Sequence, residues 1–90
     1  MKIKQTNQFK KAIKKLPKQS KLIIDGEVCK LAKEPLLGEQ KKGDLDFLRV
    51  HKFKISNKEY LLGYTYHEEI VTLTLLKLGS HENFYRDIKK

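Results

Sequence analysis

Tyr60-Leu61-Leu62-Gly63-Tyr64-Thr65-Tyr66 and, after three intervening residues, Ile70-Val71-Thr72-Leu73-Thr74-Leu75-Leu76 decide how this chain folds. Both runs are uncharged and rich in β-branched and aromatic residues, the composition of inner strands. Working outward to where the pattern stops gives three strands, Phe47 to Ile55, Glu59 to His67 and Ile70 to Leu78, separated by Ser56-Asn57-Lys58 and by Glu68-Glu69. Connections of that length suit antiparallel hairpins, so the expected topology is a meander. Gly79-Ser80 reads as the break after the third strand, Glu82 to Ile88 as a terminal helical turn, and Ile3 is compatible with a short N-terminal edge strand.

Upstream the period changes. Phe9, Ala12, Ile13 and Leu16 stand at i, i+3, i+4 and i+7, which puts them on one helix face and turns Lys10, Lys11, Lys14 and Lys15 outward. Asn7 is the expected cap and Pro17 the terminator. A second helix is expected from Gln19 to Lys33 with Ile24, Val28, Leu31 and Ala32 buried, ending at Glu34-Pro35. The two make a helical hairpin, and the order is (β)ααβββ with a short terminal α, an α+β fold.

Ninety residues suffice for one domain, 1–90, because a second core needs about 50 residues of its own. With 39% apolar and 34% charged residues the chain has the aliphatic content to fold. Its net charge is +9, and the eight lysines at positions 2, 4, 10, 11, 14, 15, 18 and 21 precede the first acid, Asp25. That cluster either steers an anionic partner or only solubilises an exposed helix face. Cys29 is the single cysteine, which excludes a disulfide framework, and it reads as a small core filler. No apolar run approaches the ~18 residues of a membrane span, and Met1-Lys2-Ile3-Lys4 does not open a signal peptide, so a cytoplasmic protein with no membrane partner is expected.

Strand alternation groups the residues that carry chemistry. Phe47, Arg49, His51, Phe53 and Ile55 share one face of the first strand, and Leu48, Val50, Lys52 and Lys54 the other. Such a strand borders a charged surface, or is an edge strand kept soluble by its charges. His67 reads as a solvated turn residue. His51 and His81 are the candidates for proton transfer, with Glu59 as a carboxylate that could share the work, because cleaving RNA through its own 2′-hydroxyl needs one group to take a proton and another to protonate the 5′-oxygen. Arg49, Lys52 or Lys54 would stabilise charge on the phosphorane. No His-Glu-x-x-His or comparable ligand spacing occurs, so no metal site is expected.

Lys77-Leu78-Gly79-Ser80-His81-Glu82-Asn83-Phe84-Tyr85-Arg86, coming after a helical pair and a meander, resembles the ending of toxins of the RelE/ParE superfamily from type II toxin–antitoxin modules. The resemblance runs from Phe9 through Arg86. Gly79-Ser80-His81 is similar to the Gly-Thr/Ser-His segment of YafQ-like mRNA interferases, where the histidine is catalytic and an aromatic follows four residues later, here Tyr85. By motif position the resemblance implies His51 as the earlier histidine and Glu59 as the carboxylate before the next aromatic. This chain departs from the pattern at Leu61: many members read Tyr-Arg-x-x-Tyr and use that arginine on the scissile phosphate, whereas Tyr60-Leu61-Leu62-Gly63-Tyr64 stands here. Arg49, Lys52 or Arg86 would have to replace it, or the activity is altered or lost.

The resemblance implies a metal-independent, cofactor-free endoribonuclease that cuts mRNA in the ribosomal A site and so inhibits translation. His81, His51, Glu59, Tyr85 and Arg49 would be catalytic, and Lys52, Lys54, Arg86, Lys10, Lys11 and Lys14 would hold RNA phosphates. The implied partners are a cognate acidic antitoxin, the ribosome and mRNA, with no small-molecule ligand. Two rivals stay open: a ParE-like protein that inhibits DNA gyrase by binding it, and an inert antitoxin-binding corepressor.

Overall fold

The computed structural model describes residues 1–81 and Phe84. In chain order the elements are β1 (Lys2–Gln5), α1 (Asn7–Lys14), α2 (Lys18–Lys33), β2 (Glu39–Gln40), a 3-10 turn (Gly43–Leu45), β3 (Arg49–Ile55), β4 (Lys58–His67) and β5 (Thr72–Ser80). They form an α+β fold in which two successive helices cover one face of a five-stranded sheet of order β1-β5-β4-β3-β2. The meander β3-β4-β5 is antiparallel, as its uncharged inner strands and short connections require. The edge strand centred on Ile3 forms, but it pairs parallel with β5 across nearly the whole sequence, Ile3 opposite Leu73. Glu39–Gln40, expected only as polar connection, adds a two-residue strand against Arg49 and Val50.

Several boundaries move for identifiable reasons. Thr6, not Asn7, caps α1: its backbone is extended, its Oγ1 accepts the Phe9 N–H at 3.1 Å, and the same hydroxyl donates to the Leu76 carbonyl at 2.7 Å. Ser56 and Asn57 both have positive φ, 51° and 67°, so a two-residue turn closes β3–β4 and Lys58 already belongs to β4. The last strand begins at Thr72, leaving Ile70 and Val71 exposed in the turn. It continues through Gly79 and Ser80, which pair with Leu61 and Tyr60. Gly79 does not break the strand, and a Cβ there would make only an ordinary contact, 3.6 Å from the Phe84 backbone. Of the expected terminal helical turn, only Phe84 lies among the described residues.

Two apolar clusters result. On the helix side, Phe9 from α1 and Ile24 and Leu31 from α2 pack with Phe53, Ile55, Leu62, Tyr64, Leu73, Leu75 and Leu78. On the other face, Leu48, Val50 and Leu61 pack with Phe84, whose ring tip lies 2.7 Å from where a Gly63 Cβ would be. Cys29 is not a core filler: it is exposed, because the buried stripe of α2 runs through Ser20, Ile24 and Leu31 and leaves position 29 outside.

Candidate functional site

The three histidines sit apart: His67, expected in the turn, is the exposed last residue of β4 opposite Thr72, and the other two lie on opposite faces of the sheet. On the sheet face away from the helices, Glu59 near the start of β4 and His81 just past β5 are neighbours, since the ladder that pairs Tyr60 with Ser80 continues through the His81 N–H to the Glu59 carbonyl at 3.1 Å. Their side chains meet as Nε2 and Oε1 at 3.7 Å, and both are open to solvent, 59% and 41% exposed. Asn57, Lys58 and Ser80 complete the walls of the depression they line. Lys54 lies directly across from Glu59, and Lys52 across from Leu61, so alternation puts both lysines on this same face. A carboxylate, an imidazole and two lysines therefore share one face of the sheet. That set can take one proton, give another and stabilise an anion between them.

His51 is elsewhere. It alternates onto the helix face with Phe53, stacks on that ring at 5.8 Å, and its Nε2 lies 2.6 Å from Glu27 Oε1 of α2. A carboxylate only accepts, so Nε2 carries the hydrogen. Both side chains are almost enclosed, 12% and 14% exposed. Burial by itself would raise the Glu27 carboxyl, but hydrogen bonds from His51 and Lys30, together with their charges, hold it below its usual range. His51 and His81, both candidates for proton transfer, are thus kept apart: alternation along β3 assigns His51 to the face that α2 covers. Glu27 was missed, although a carboxylate at i+3 from Ile24 and i−4 from Leu31 on an otherwise apolar stripe signals a buried partner.

Arg49 is likewise occupied. It stands opposite Tyr64 at the other end of β3, and its Nη1 donates to the carbonyls of Leu36 (3.3 Å) and Gly38 (2.9 Å). Five residues of strand separate it from Lys54, roughly 17 Å. Tyr64 braces the same loop, donating to the Pro35 carbonyl at 2.7 Å and accepting from the Gly38 N–H at 2.8 Å; its burial pushes the phenol up. Arg49 and Tyr64 hold the connection between α2 and β2 and do not reach the open pair. Leu61, where the resemblance would place an arginine, is fully buried against Leu48, Val50 and Phe84. Lys10, Lys11 and Lys14 are exposed on α1, which lies over β5 on the helix side, so they belong to a different surface from Glu59 and His81. Tyr85 and Arg86 lie outside the described residues. Among the described residues no group of three or more His, Cys, Asp or Glu side chains could hold a metal ion.

A family model described as ParE-like toxin of type II bacterial toxin-antitoxin system matches residues 3–89. No curated protein sequence matches the chain. Among solved structures, the toxin–antitoxin complex RelBE2 from Mycobacterium tuberculosis superposes with a TM-score of 0.77 at 20% identity, covering 89% of this chain and 96% of that one. The intact E. coli RelBE toxin–antitoxin complex gives 0.70 at 17% identity, covering 87% and 93%. The isolated E. coli RelE toxin gives 0.69 at 16% identity, covering 98% and 95%. At these identities the structures establish a shared fold.

Proposed function

Because this chain belongs to the ParE-like toxins of type II bacterial toxin–antitoxin systems, we propose that it acts by cleaving mRNA on the ribosome, with Glu59 and His81 as the proton-transfer pair. The observation that carries this reading is their juxtaposition on an open face flanked by Lys52 and Lys54. In the reaction one member of the pair removes the proton of a 2′-hydroxyl. The 2′-oxygen bonds to the adjacent phosphorus, the bond from phosphorus to the 5′-oxygen breaks, and the other member protonates that leaving oxygen. The products are a 2′,3′-cyclic phosphate and a free 5′-hydroxyl, with no metal in the balance. The two groups touch in the free protein, so the scissile phosphate has to part them, which their exposure permits. With Leu61 buried and Arg49 tied to backbone carbonyls, charge on the phosphorane falls first to Lys54, directly across from Glu59, with Lys52 one step further along the strand.

On this reading the ribosome supplies most of the orientation of the substrate, and the protein surface needs to hold only a short stretch of RNA. A cognate antitoxin is the proposed protein partner, as RelE has in the similar complexes from E. coli and M. tuberculosis. The lysines of α1 suit an acidic antitoxin that orders as it binds.

Mapping mRNA ends in a translating extract tests the reading. His81→Ala and Glu59→Gln should each lower cleavage by roughly 10²–10⁴-fold while the proteins remain folded. A His81→Ala variant that cuts at the wild-type rate would show that the terminal histidine is misassigned. The buried Leu61 favours one second reading, inhibition by binding alone. Absence of cleavage together with a gyrase-dependent supercoiling defect would establish it instead.

A further inference from the structure

The outer edge of β3 is only half covered. β2 pairs with Arg49 and Val50, the Lys41 N–H reaches the Leu48 carbonyl at 2.9 Å, and among the described residues no strand pairs with β3 on that side beyond Val50. Strand alternation turns the peptide groups of positions 48, 50 and therefore 52 toward this edge, so the Lys52 N–H points outward. At this sheet edge lies a depression of about 260 Å³ lined by Val50 and His51 as well as Glu39, Lys41, Lys52 and the Leu37–Gly38 segment. Inside that frame Glu39 accepts a hydrogen bond from Lys41 Nζ at 3.1 Å. The cation is the more enclosed partner, with its side chain 22% exposed, while the Glu39 side chain is 73% exposed.

We propose that Lys41 and Lys52 frame a phosphate subsite for the RNA strand, and that Glu39 occupies it as an intramolecular competitor whose carboxylate stands where an RNA phosphate would sit. This rests on the nuclease reading for the identity of the strand. The Lys41 hydrogen bond and charge, with smaller help from Lys52 and Lys42, hold the Glu39 carboxyl below its usual range, as cationic surroundings would hold any anion placed there. An exposed ion pair is weak and exchanges readily, so a diester that also meets the Lys52 N–H displaces it. Alternation along β3 and β2 puts Glu39, Lys52 and Lys54 on the face that carries Glu59 and His81. From Lys52 to the position of Glu59 is one step of two residues along the strand and one strand across, roughly 8 Å, the scale of one nucleotide of an extended chain. The subsite would hold a phosphate next to the scissile one.

The test uses the full chain and a fluorescently labelled 2′-O-methyl RNA hexamer, which binds but has no free 2′-hydroxyl to react, read by anisotropy at low salt. Glu39→Gln should tighten binding by about two- to fivefold. Glu68→Gln, the same change in net charge at the far end of β4, should do much less, and adding Lys41→Gln should cancel the gain. With inorganic phosphate as the probe, the Lys52 amide should shift further in Glu39→Gln than in wild type by NMR. An equal gain from Glu68→Gln, a gain that survives Lys41→Gln, or no measurable affinity in any variant would overturn the subsite. Tighter binding by Glu39→Gln in a protein that cuts no mRNA would leave the subsite standing and remove the nuclease reading; cleavage with a silent Glu39→Gln would do the reverse.

Discussion

Glu27 is a carboxylate on the buried stripe of a helix, and the bonds that hold it there set a pH dependence. Its folded-state pKa lies below the ordinary value of 4.5. Its contribution to stability is therefore complete above that value and is lost as pH falls through the depressed one. Glu27→Gln should cost about 1–2 kcal/mol at pH 7, and urea titrations should show the difference from wild type closing below about pH 4.5. A gap that stays constant down to pH 3 would mean that the carboxylate charge contributes nothing to holding α2 on β3. The same residue shows the limit of reading a site from sequence. Gly79-Ser80-His81 and Glu59 could be singled out because a short local motif and a position just before an aromatic resemble those of a known family. The partner of His51 lies 24 residues away on another layer, and no local spacing encodes that contact.

At the scale of elements, the turn between β4 and β5 and the first helix cap carry the sharpest expectations. Val71 is β-branched with φ of 47°, a conformation that crowds its side chain, and it is 45% exposed, so little burial offsets the strain. Val71→Gly should raise stability by about 0.5–1 kcal/mol in chemical denaturation; a decrease would mean that the side chain packs more than its exposure shows. Thr6→Ala should cost about 1–2 kcal/mol, because α1 has only eight residues and loses both its cap and its tie to Leu76. The inner strands were legible from composition, because what the sheet buries on both faces must be uncharged and β-branched or aromatic. The cap was not, since Thr6 and Asn7 are both good cap residues and the bond to a carbonyl 70 positions away selects between them. Nor was β2, where Glu39 and Gln40 carry no strand signal and pair only because Tyr64 and Arg49 fix the loop before them.

Across the whole molecule the lysines behind the +9 charge lie on two separate surfaces. Lys10, Lys11 and Lys14 face solvent from the helix layer, whereas Lys41, Lys52 and Lys54 border the opposite face and its edge. Replacing the three α1 lysines with glutamine should weaken binding to ribosomes and flatten its salt dependence without moving the positions at which mRNA is cut. A shift in those positions would place α1 at the reacting strand after all. The parallel pairing of β1 with β5 adds a constraint of timing. Residues 2–5 are made first, yet among the described residues their strand partner spans 72–75, and β5 must be in place before Glu59 has His81 beside it. A nascent chain tethered to the ribosome that makes it therefore carries no assembled pair until residue 81 has emerged. On the proposed mRNA-cleaving reading, the ribosome that makes the chain would therefore meet no competent proton-transfer pair until β5 has folded.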